Sequence, residues 1–288
     1  MAKTYLILDC NYLCRRACYA MGDRLSYAGS PTTILYTFLR DMIALQEQFR
    51  TSGILFCFDS KSSKRKEIYP KYKQKRHTKE LTEEEIEFEK AFRYQIKKLR
   101  MAHLPEIGYR NIYRKAGFES DDLIAKLGED VTREGKNKGV VVSSDHDLFQ
   151  CITPFVSFYN PADHKELTLQ GFRQKYGITP DQWAMVKAIA GCNTDEVEGV
   201  RGIGEKTAIK YIQGELKESS KAHANITCEN GQEIIKRNWG LVKLPLAGTP
   251  ELEIKPDELS LDGWLSVCKK LGFKSLRNEN PFPWSRLK

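Results

Sequence analysis

No apolar run in this sequence comes near the roughly 18 residues that a bilayer-spanning helix needs, and the opening MAKTYLILD lacks the positive, apolar and small-residue zones of a signal peptide. Both absences point to a soluble chain with a cytoplasmic address and no membrane partner. No P-loop, Ser-His-Asp order or Cys-His arrangement is present, which removes phosphate-loop and nucleophilic-triad chemistry from the expectations. The eight cysteines never take the C-x-x-C spacing of a zinc ribbon or redox motif, so reduced thiols are expected. Cys10, Cys14 and Cys18 recur every four residues and read as a buried helical stripe. The five histidines are scattered, and His146, inside Ser-Asp-His-Asp, reads as a spacer rather than a ligand.

What is present fits a globular chain of 288 residues with 41% hydrophobic residues, enough to bury one substantial core. Four short apolar runs, Tyr5–Asp9, Ile54–Asp59, Asn111–Arg114 and Gly139–Asp145, alternate with longer segments of helical period. That alternation predicts an α/β fold with a central, mostly parallel sheet flanked by helices. Thr32 to Phe49 carries apolar residues at helical spacing and reads as a buried crossover helix. Thr82 followed by Glu85 marks a helix start, with Leu81 and Ile86 as its hydrophobic staple and Phe88, Phe92, Ile96 and Leu99 as its apolar face. Thr179-Pro-Asp-Gln182 marks another start, leading into a helix from Trp183 to Ala190. A glycine-rich turn, Gly199 to Gly204, and a helix from Glu205 to about Gln213 should follow. The character of the chain changes near residue 160, so an α/β core over 1–160 and a mainly helical region over 161–288 are expected. From Gly214 onward the sequence is silent about chemistry, Lys217 to Asn238 reads only as polar and exposed, and Asn278 to Lys288 reads as loosely held.

Charge is uneven. The net charge is +8, and between Lys61 and Lys79 nine basic residues meet the single acid Glu67, with Tyr69 and Tyr72 among them. Such a run is often only a wet surface, yet cations interleaved with aromatics suit phosphates and unstacked bases. The run has no clear period and reads as an arch or loop over a site.

The acids are the strongest signal. Asp9 and Asp59 end two predicted strands, and Asp145 with Asp147 follows a third. In a parallel α/β sheet the ligand site lies beyond the carboxyl ends of the strands. Glu119-Ser120-Asp121-Asp122 precedes Leu123, Ile124 and Leu127, so Ser120 is expected to cap a helix whose first turn is acidic. Alone, that turn is ordinary dipole complementation. Together with three strand-end aspartates it implies raised pKa values or bound cations, and hard oxygen ligands suit Mg²⁺ or Mn²⁺. Beneath a basic segment this predicts metal-assisted phosphodiester hydrolysis.

Six segments in order then resemble the flap endonuclease and 5′→3′ exonuclease family, a PIN-like fold: Leu-Ile-Leu-Asp9, Phe-Cys-Phe-Asp59, Tyr69-Pro-Lys-Tyr72-Lys73-Gln-Lys-Arg76, Gly-Phe-Glu119-Ser-Asp121-Asp122, Ser-Ser-Asp145-His-Asp147, and Asp195 leading into Gly199-Val-Arg-Gly202-Ile-Gly204-Glu-Lys206. The resemblance covers nearly the whole chain. It implies that Asp9, Asp59, Glu119 and Asp121 surround a first metal, while Asp122, Asp145, Asp147 and Asp195 complete or support a two-metal site. It implies that Lys73 and Arg76 are catalytic, standing at the base of a helical arch (about 61–105) and neutralising transition-state charge. Arg16 and Tyr72 are implied substrate contacts. The turn 199–204 is implied to be the hairpin of a helix-three-turn-helix that binds duplex DNA through Gly202, Gly204 and Lys206, with K⁺ as a secondary ion.

One departure is plain. The family usually has Gly-Asp-x-x-Asp before this hairpin, and here Gly191-Cys192-Asn193-Thr194-Asp195 puts a thiol in place of one carboxylate. Mg²⁺ prefers oxygen, so a weakened second site or a preference for Mn²⁺ is expected. The reading is thus a structure-specific 5′-nuclease of branched or 5′-ended DNA, with RNA–DNA hybrids as a further substrate. It is expected to be a monomer and to work with a DNA polymerase in trans. The reading left open beside it is a non-catalytic or single-metal binder of branched DNA, which Cys192 keeps alive.

Overall fold

The computed structural model describes residues 2–21, 25–74 and 80–282. Its centre is a six-stranded sheet. Strand β1 (Thr4–Asp9) leads directly into α1 (Cys10–Met21); a small hairpin, β2 (Ser26–Tyr27) and β3 (Ser30–Pro31), precedes α2 (Thr33–Phe49), and β4 (Gly53–Cys57) follows. Strands β5 (Ile112–Tyr113), β6 (Lys138–Val142), β7 (Val156–Asn160) and β8 (Lys165–Leu167) complete the sheet in the order β5-β4-β1-β6-β7-β8. All neighbours run parallel except β7 and β8. The four runs read as strands are all here, with shorter ends. Two strands of the sheet went unread: Val156-Ser-Phe-Tyr-Asn160, a five-residue run that buries Val156, Phe158 and Tyr159, and Lys165-Glu-Leu167, which is too short to show a period.

Helices cover both faces, as near-continuous apolar parallel strands require. On one face Leu6, Leu8, Phe56 and Val142 pack with α1, α2 and the last helix, α12 (Leu261–Leu271). Cys10, Cys14 and Cys18 are buried there as expected. So are Phe92 of α4 (Glu83–Lys98) and Leu99 just after it, with Phe88 and Ile96 partly buried beside them. On the other face Ile7, Leu55 and Val141 meet α6 (Ser120–Thr132) and the helices of the second half.

Local signals set several boundaries. Thr82 and Glu85 form the expected capping box of α4. Leu81 and Ile86 are both substantially exposed. Thr179 and Gln182 form a second capping box over a 3₁₀ turn, Pro180–Gln182, that runs into α8 (Trp183–Ala190). A short helix, α3 (Arg65–Ile68), lies inside the basic segment, and α5 (Leu104–Ile107) follows α4 through one π turn, Leu99–His103. Ser120 is not the cap of α6. The cap is Glu119, whose side chain takes the N3 amide while Asp122 returns the bond to the backbone of Glu119. Ser120 is instead the first helical residue, free to bond elsewhere.

The boundary expected near residue 160 falls inside the sheet, because the turn after β7 closes a hairpin with β8. The second half supplies α7 (Leu169–Tyr176), α8, a two-residue antiparallel pair of β9 (Gly191–Cys192) and β10 (Val197–Glu198), α9 (Glu205–Ile212), α10 (Lys221–Thr227) and α11 (Glu229–Val242). The polar stretch 217–238 is therefore mostly helical, and its Ile226 and Ile235 are core residues. The expectations for Arg76 and for the last six residues lie outside the described residues.

Candidate active site

Parallel strands put their C-terminal ends on one edge, and the sheet order places β4, β1 and β6 side by side. Asp9 is the last residue of β1, Asp59 follows β4 by two residues, and Asp145 follows β6 by three. Each is held by neighbours. Asp9 accepts from the Tyr12 amide at 3.0 Å and the Ser143 hydroxyl at 2.8 Å. One oxygen of Asp59 accepts from both the amide and hydroxyl of Ser120, each at 2.8 Å, which docks the first turn of α6 against the sheet edge. Asp145 caps the 3₁₀ turn His146–Cys151 and accepts from the Asp147 amide at 2.8 Å. His146 stacks on Phe149 at 4.6 Å, a packing role that matches its reading as a spacer.

The electrostatics follow from this crowding. Burial first, then the neighbouring Asp59, pushes Asp9 up to about 7. Asp121 is raised well above the carboxylate range by burial and by Asp145, Asp9 and Asp59. Asp147 rises to about 6, again by burial and then by Asp145. Among the described residues no Lys or Arg forms a salt bridge with Asp9, Asp59, Asp121 or Asp145. Clustered carboxylates, from the buried Asp9 to the exposed Asp145, that repel one another and have no salt-bridge partner are a donor set for an external cation, and four oxygen donors suit a hard divalent ion.

A second group stands beside the first. One ligand atom each from Asp147, Cys192 and Asp195 lies within 4.8 Å of the others. Cys192 is raised by burial and by Asp147 and Asp195, and its sulfur lies 3.0 Å from the Thr194 hydroxyl. Two carboxylates and a neutral thiol also fit a divalent ion, though with one oxygen fewer than a carboxylate would give. Asp121 of the first group and all three residues of the second line one pocket, together with Glu119 and Tyr72.

Two cations work inside this acidic surface. The Lys73 ammonium sits 2.7 Å from Glu119 and 3.5 Å from Asp195. Burial opposes its charge, yet those carboxylates hold its pKa above the usual lysine value. Its backbone takes the left-handed conformation, φ 52°, and its amide donates to the Asp195 carbonyl at 3.0 Å. Lys187 bridges Asp147 at 3.0 Å and Glu205 at 2.8 Å, tying the second group to the first turn of α9. Sequence reading passed over Lys187; its signal was a single charge in the apolar run WAMVKAIA.

Two expected roles change. Asp122 faces away from the acids, fully buried, with both oxygens 2.7 Å from the Arg65 guanidinium. It also accepts from the amides of Glu119 and Leu246, so no lone pair is left for a metal; at 100° per residue Asp121 and Asp122 cannot share one face. Tyr72 is 3% exposed and donates to Glu119 and Asp195, each at 3.1 Å, so it positions carboxylates and offers no face to a base. Arg16 is engaged by Asp41 at 2.8 Å and the Pro161 carbonyl at 3.1 Å.

The glycine turn is built by close approach. A Cβ at Gly199 would stand 2.2 Å from the backbone of Ala190, while the Val200 amide donates to Ile189 at 2.8 Å and closes the turn. Asn238 of α11, fully buried, donates to the carbonyls of Ala188 and Glu198 at 2.9 Å and locks it from below. Gly202 and Gly204 face open space, and Lys206 is exposed in the first turn of α9.

The family model of the 5′-3′ exonuclease N-terminal, resolvase-like domain matches residues 4–177. A 5′-3′ exonuclease of Aquifex aeolicus is 30% identical over 212 residues, covering 73% of this chain and 69% of that protein. This chain belongs to the 5′-3′ exonuclease family. The thermostable DNA polymerase I of Thermus thermophilus is 28% identical over 285 residues, or 95% of this chain, but the match spans only 33% of that polymerase. Among solved structures, phage T5 D15 protein co-crystallised with metal ions has a TM-score of 0.70 at 21% identity, covering 93% of this chain and 95% of that one. The T5 D15 flap endonuclease in a pseudo-enzyme-product complex with DNA and metal ions has a TM-score of 0.71 at 21% identity, with the same coverage. These likenesses bear out the α/β fold. No described helix is long and apolar enough to cross a membrane.

Proposed function

We propose that this chain is a structure-specific 5′-nuclease, a flap endonuclease and 5′→3′ exonuclease that hydrolyses phosphodiesters of branched or 5′-ended DNA, RNA primers included, in replication or repair. The observation that carries the proposal is the convergence of Asp9, Asp59, Asp121 and Asp145 at one sheet edge, with no salt bridge to any of them among the described residues, beside Lys73 paired with Glu119. The T5 neighbours crystallised with metal ions, and with DNA in one case, support it.

Two divalent ions, Mg²⁺ with Mn²⁺ as alternative, would be held by Asp9, Asp59, Asp121 and Asp145 with Glu119 at the first position, and by Asp147, Cys192 and Asp195 at the second. Bound there, they supply an activated water and charge stabilisation at the leaving oxygen. The chain's own residues do the rest. Ser120 and Ser143 fix the carboxylates of Asp59 and Asp9, so the donors are preorganised. An incoming phosphate competes with Glu119 and Asp195 for the Lys73 ammonium, which then neutralises charge growing on the phosphoryl oxygens. Arg76 shares that role in the proposal. The open turn at Gly202 and Gly204, with Lys206 behind it, is the duplex-binding hairpin of a helix-three-turn-helix, with K⁺ as its secondary ion. A DNA polymerase acting in trans and a monomeric state complete the reading.

Cys192 favours one competing reading, a binder of branched DNA that does not cut. A 5′-labelled flap duplex incubated with the protein in Mg²⁺, in Mn²⁺ and in chelator separates the two. Metal-dependent cuts near the junction are expected; tight binding without cleavage in either ion would establish the binder instead.

A further inference from the structure

Arg65 and Leu241, Val242 and Leu244 turn inward and line the pocket. The outward face of the same two elements, α3 and α11, is unusual in what it exposes. Ile68, at the end of α3, is 49% exposed, and its side chain lies over Gly240, 4.0 Å from where a Cβ would stand. Trp239, the residue before that glycine, is 38% exposed. One turn on, the Lys243 ammonium lies 5.9 Å from its ring. One turn back, Lys236 is exposed, and the Arg237 guanidinium covers the Tyr69 ring at 4.8 Å. A large indole and an isoleucine left wet at the rim of an acidic pocket, with Lys236 and Lys243 one turn to either side of the indole, cost solvation and do nothing for the core. Their neighbours in the core, Leu241 and Val242, are buried as expected for α11.

We infer that Trp239 is a stacking platform for an unpaired nucleobase, with Ile68 as its apolar border and Lys236 and Lys243 meeting the flanking phosphates. The inference rests on the nuclease reading and deepens it, since it assigns the single-stranded part of the substrate a place at the pocket rim. Charge decides the occupant. An apolar face alone would suit a protein helix, whereas an exposed aromatic flanked by lysines matches the pairing of base stacking with backbone neutralisation that single strands use. The platform reads no base identity, because every base offers a π face.

Trp239 also reports on itself. Trp183 and Trp264 are buried, so in a Trp284→Phe background Trp239 is the indole open to a ligand. The test uses that full-length protein in chelator, titrated with a duplex bearing a 5′ oligothymidine tail and with the same duplex blunt. The tailed duplex should quench the exposed indole and the blunt one should not. Trp239→Ala should weaken binding of the tailed duplex about tenfold, Trp239→Phe should restore most of it, and blunt-duplex binding should hold within twofold. Equal affinity of Trp239→Ala and parent for the tailed duplex, or equal quenching by both duplexes, overturns the platform. So does a tryptophan emission change that tracks protein concentration without DNA, which would make this face a protein contact. Cleavage of the flap in Mg²⁺ by the parent protein is scored separately: cutting without a Trp239 effect removes the platform and leaves the nuclease, and no cutting by any variant removes the nuclease.

Discussion

Two adjacent aspartates in α6 have opposite fates. Asp122 enters the core and meets Arg65 in a bidentate pair; Asp121 turns to the sheet edge, among Asp9, Asp59 and Asp145, with no salt bridge among the described residues. Exposure is only part of the contrast: Asp122 is fully buried, while Asp121 is half-buried and lines the pocket. What differs is the source of the counter-charge. In this pair the acid that the chain supplies with a cation is structural, and the one without a salt bridge is, on the proposed reading, a metal ligand. Glu119 lies between these cases. Burial would raise it, yet Lys73 and Arg65 hold it below the ordinary glutamate value, so it serves as both cap and site residue.

The sharpest way to break this comparison is to remove the internal cation. Arg65→Ala should destabilise the fold by roughly 3–5 kcal/mol, because it leaves the Asp122 carboxylate buried and unpaired, and denaturant unfolding measures it. The double variant Arg65→Met, Asp122→Leu should recover much of that loss. If Arg65→Ala instead kept its stability and lost only DNA affinity, the guanidinium would belong to the substrate surface and the contrast would collapse.

On the other side, Asp145→Asn should leave folding intact and lower cleavage by about 10³-fold, with Lys73→Ala lowering it by roughly 10²-fold, the scale of one lost electrostatic stabiliser. Flap binding measured in chelator should be kept by both. Abolished binding in both variants would withdraw these two residues from the chemistry.

A smaller effect concerns pH. Asp9 has its folded pKa raised from 3.8 to about 7, and Asp147 from 3.8 to about 6. The stability tied to their protonated forms is complete below about 3.8 and is lost as pH rises through the folded values. Metal-free protein should therefore lose stability from these groups between pH 4 and 7, and Mg²⁺ should return more of it at pH 7.5 than at pH 5. Thermal melts with and without the ion measure this, and an ion effect independent of pH would mean that protons and metal do not share these acids.

The smallest expected change is at the second group. Cys192→Asp should tighten Mg²⁺ dependence by about tenfold and narrow any advantage of Mn²⁺, as a hard ligand replaces a soft one. A metal titration of activity reads it, and unchanged Mg²⁺ dependence would count against a weakened second site.

How much of this could be read from residues alone follows the same division. Strand-end aspartates were legible because a parallel sheet gathers its carboxyl ends whatever the loops do, and the caps at Thr82 and Thr179 were legible because they depend on residues three apart. Arg65 was not, since within a run of nine basic residues nothing marks the one that turns inward. Its partners are the Leu241 carbonyl and Asp122, 176 and 57 residues away, and such distances leave no local pattern. Tyr72 was misplaced for the same reason, an aromatic among cations that the fold turns towards carboxylates. The stretch 217–238 gave no signal because α10 and α11 each bury only a narrow stripe.

The last helix carries a consequence of another kind. α12 returns from the end of the chain to the layer of α1 and α2, where Trp264, Val267 and Cys268 are buried against the first strands' own face. This helix thus clasps the layer built by residues 10–49. A protease cut in the exposed stretch 217–219 would sever the peptide but leave the pieces clasped, so the nicked protein should run as one species on a sizing column and part only in denaturant.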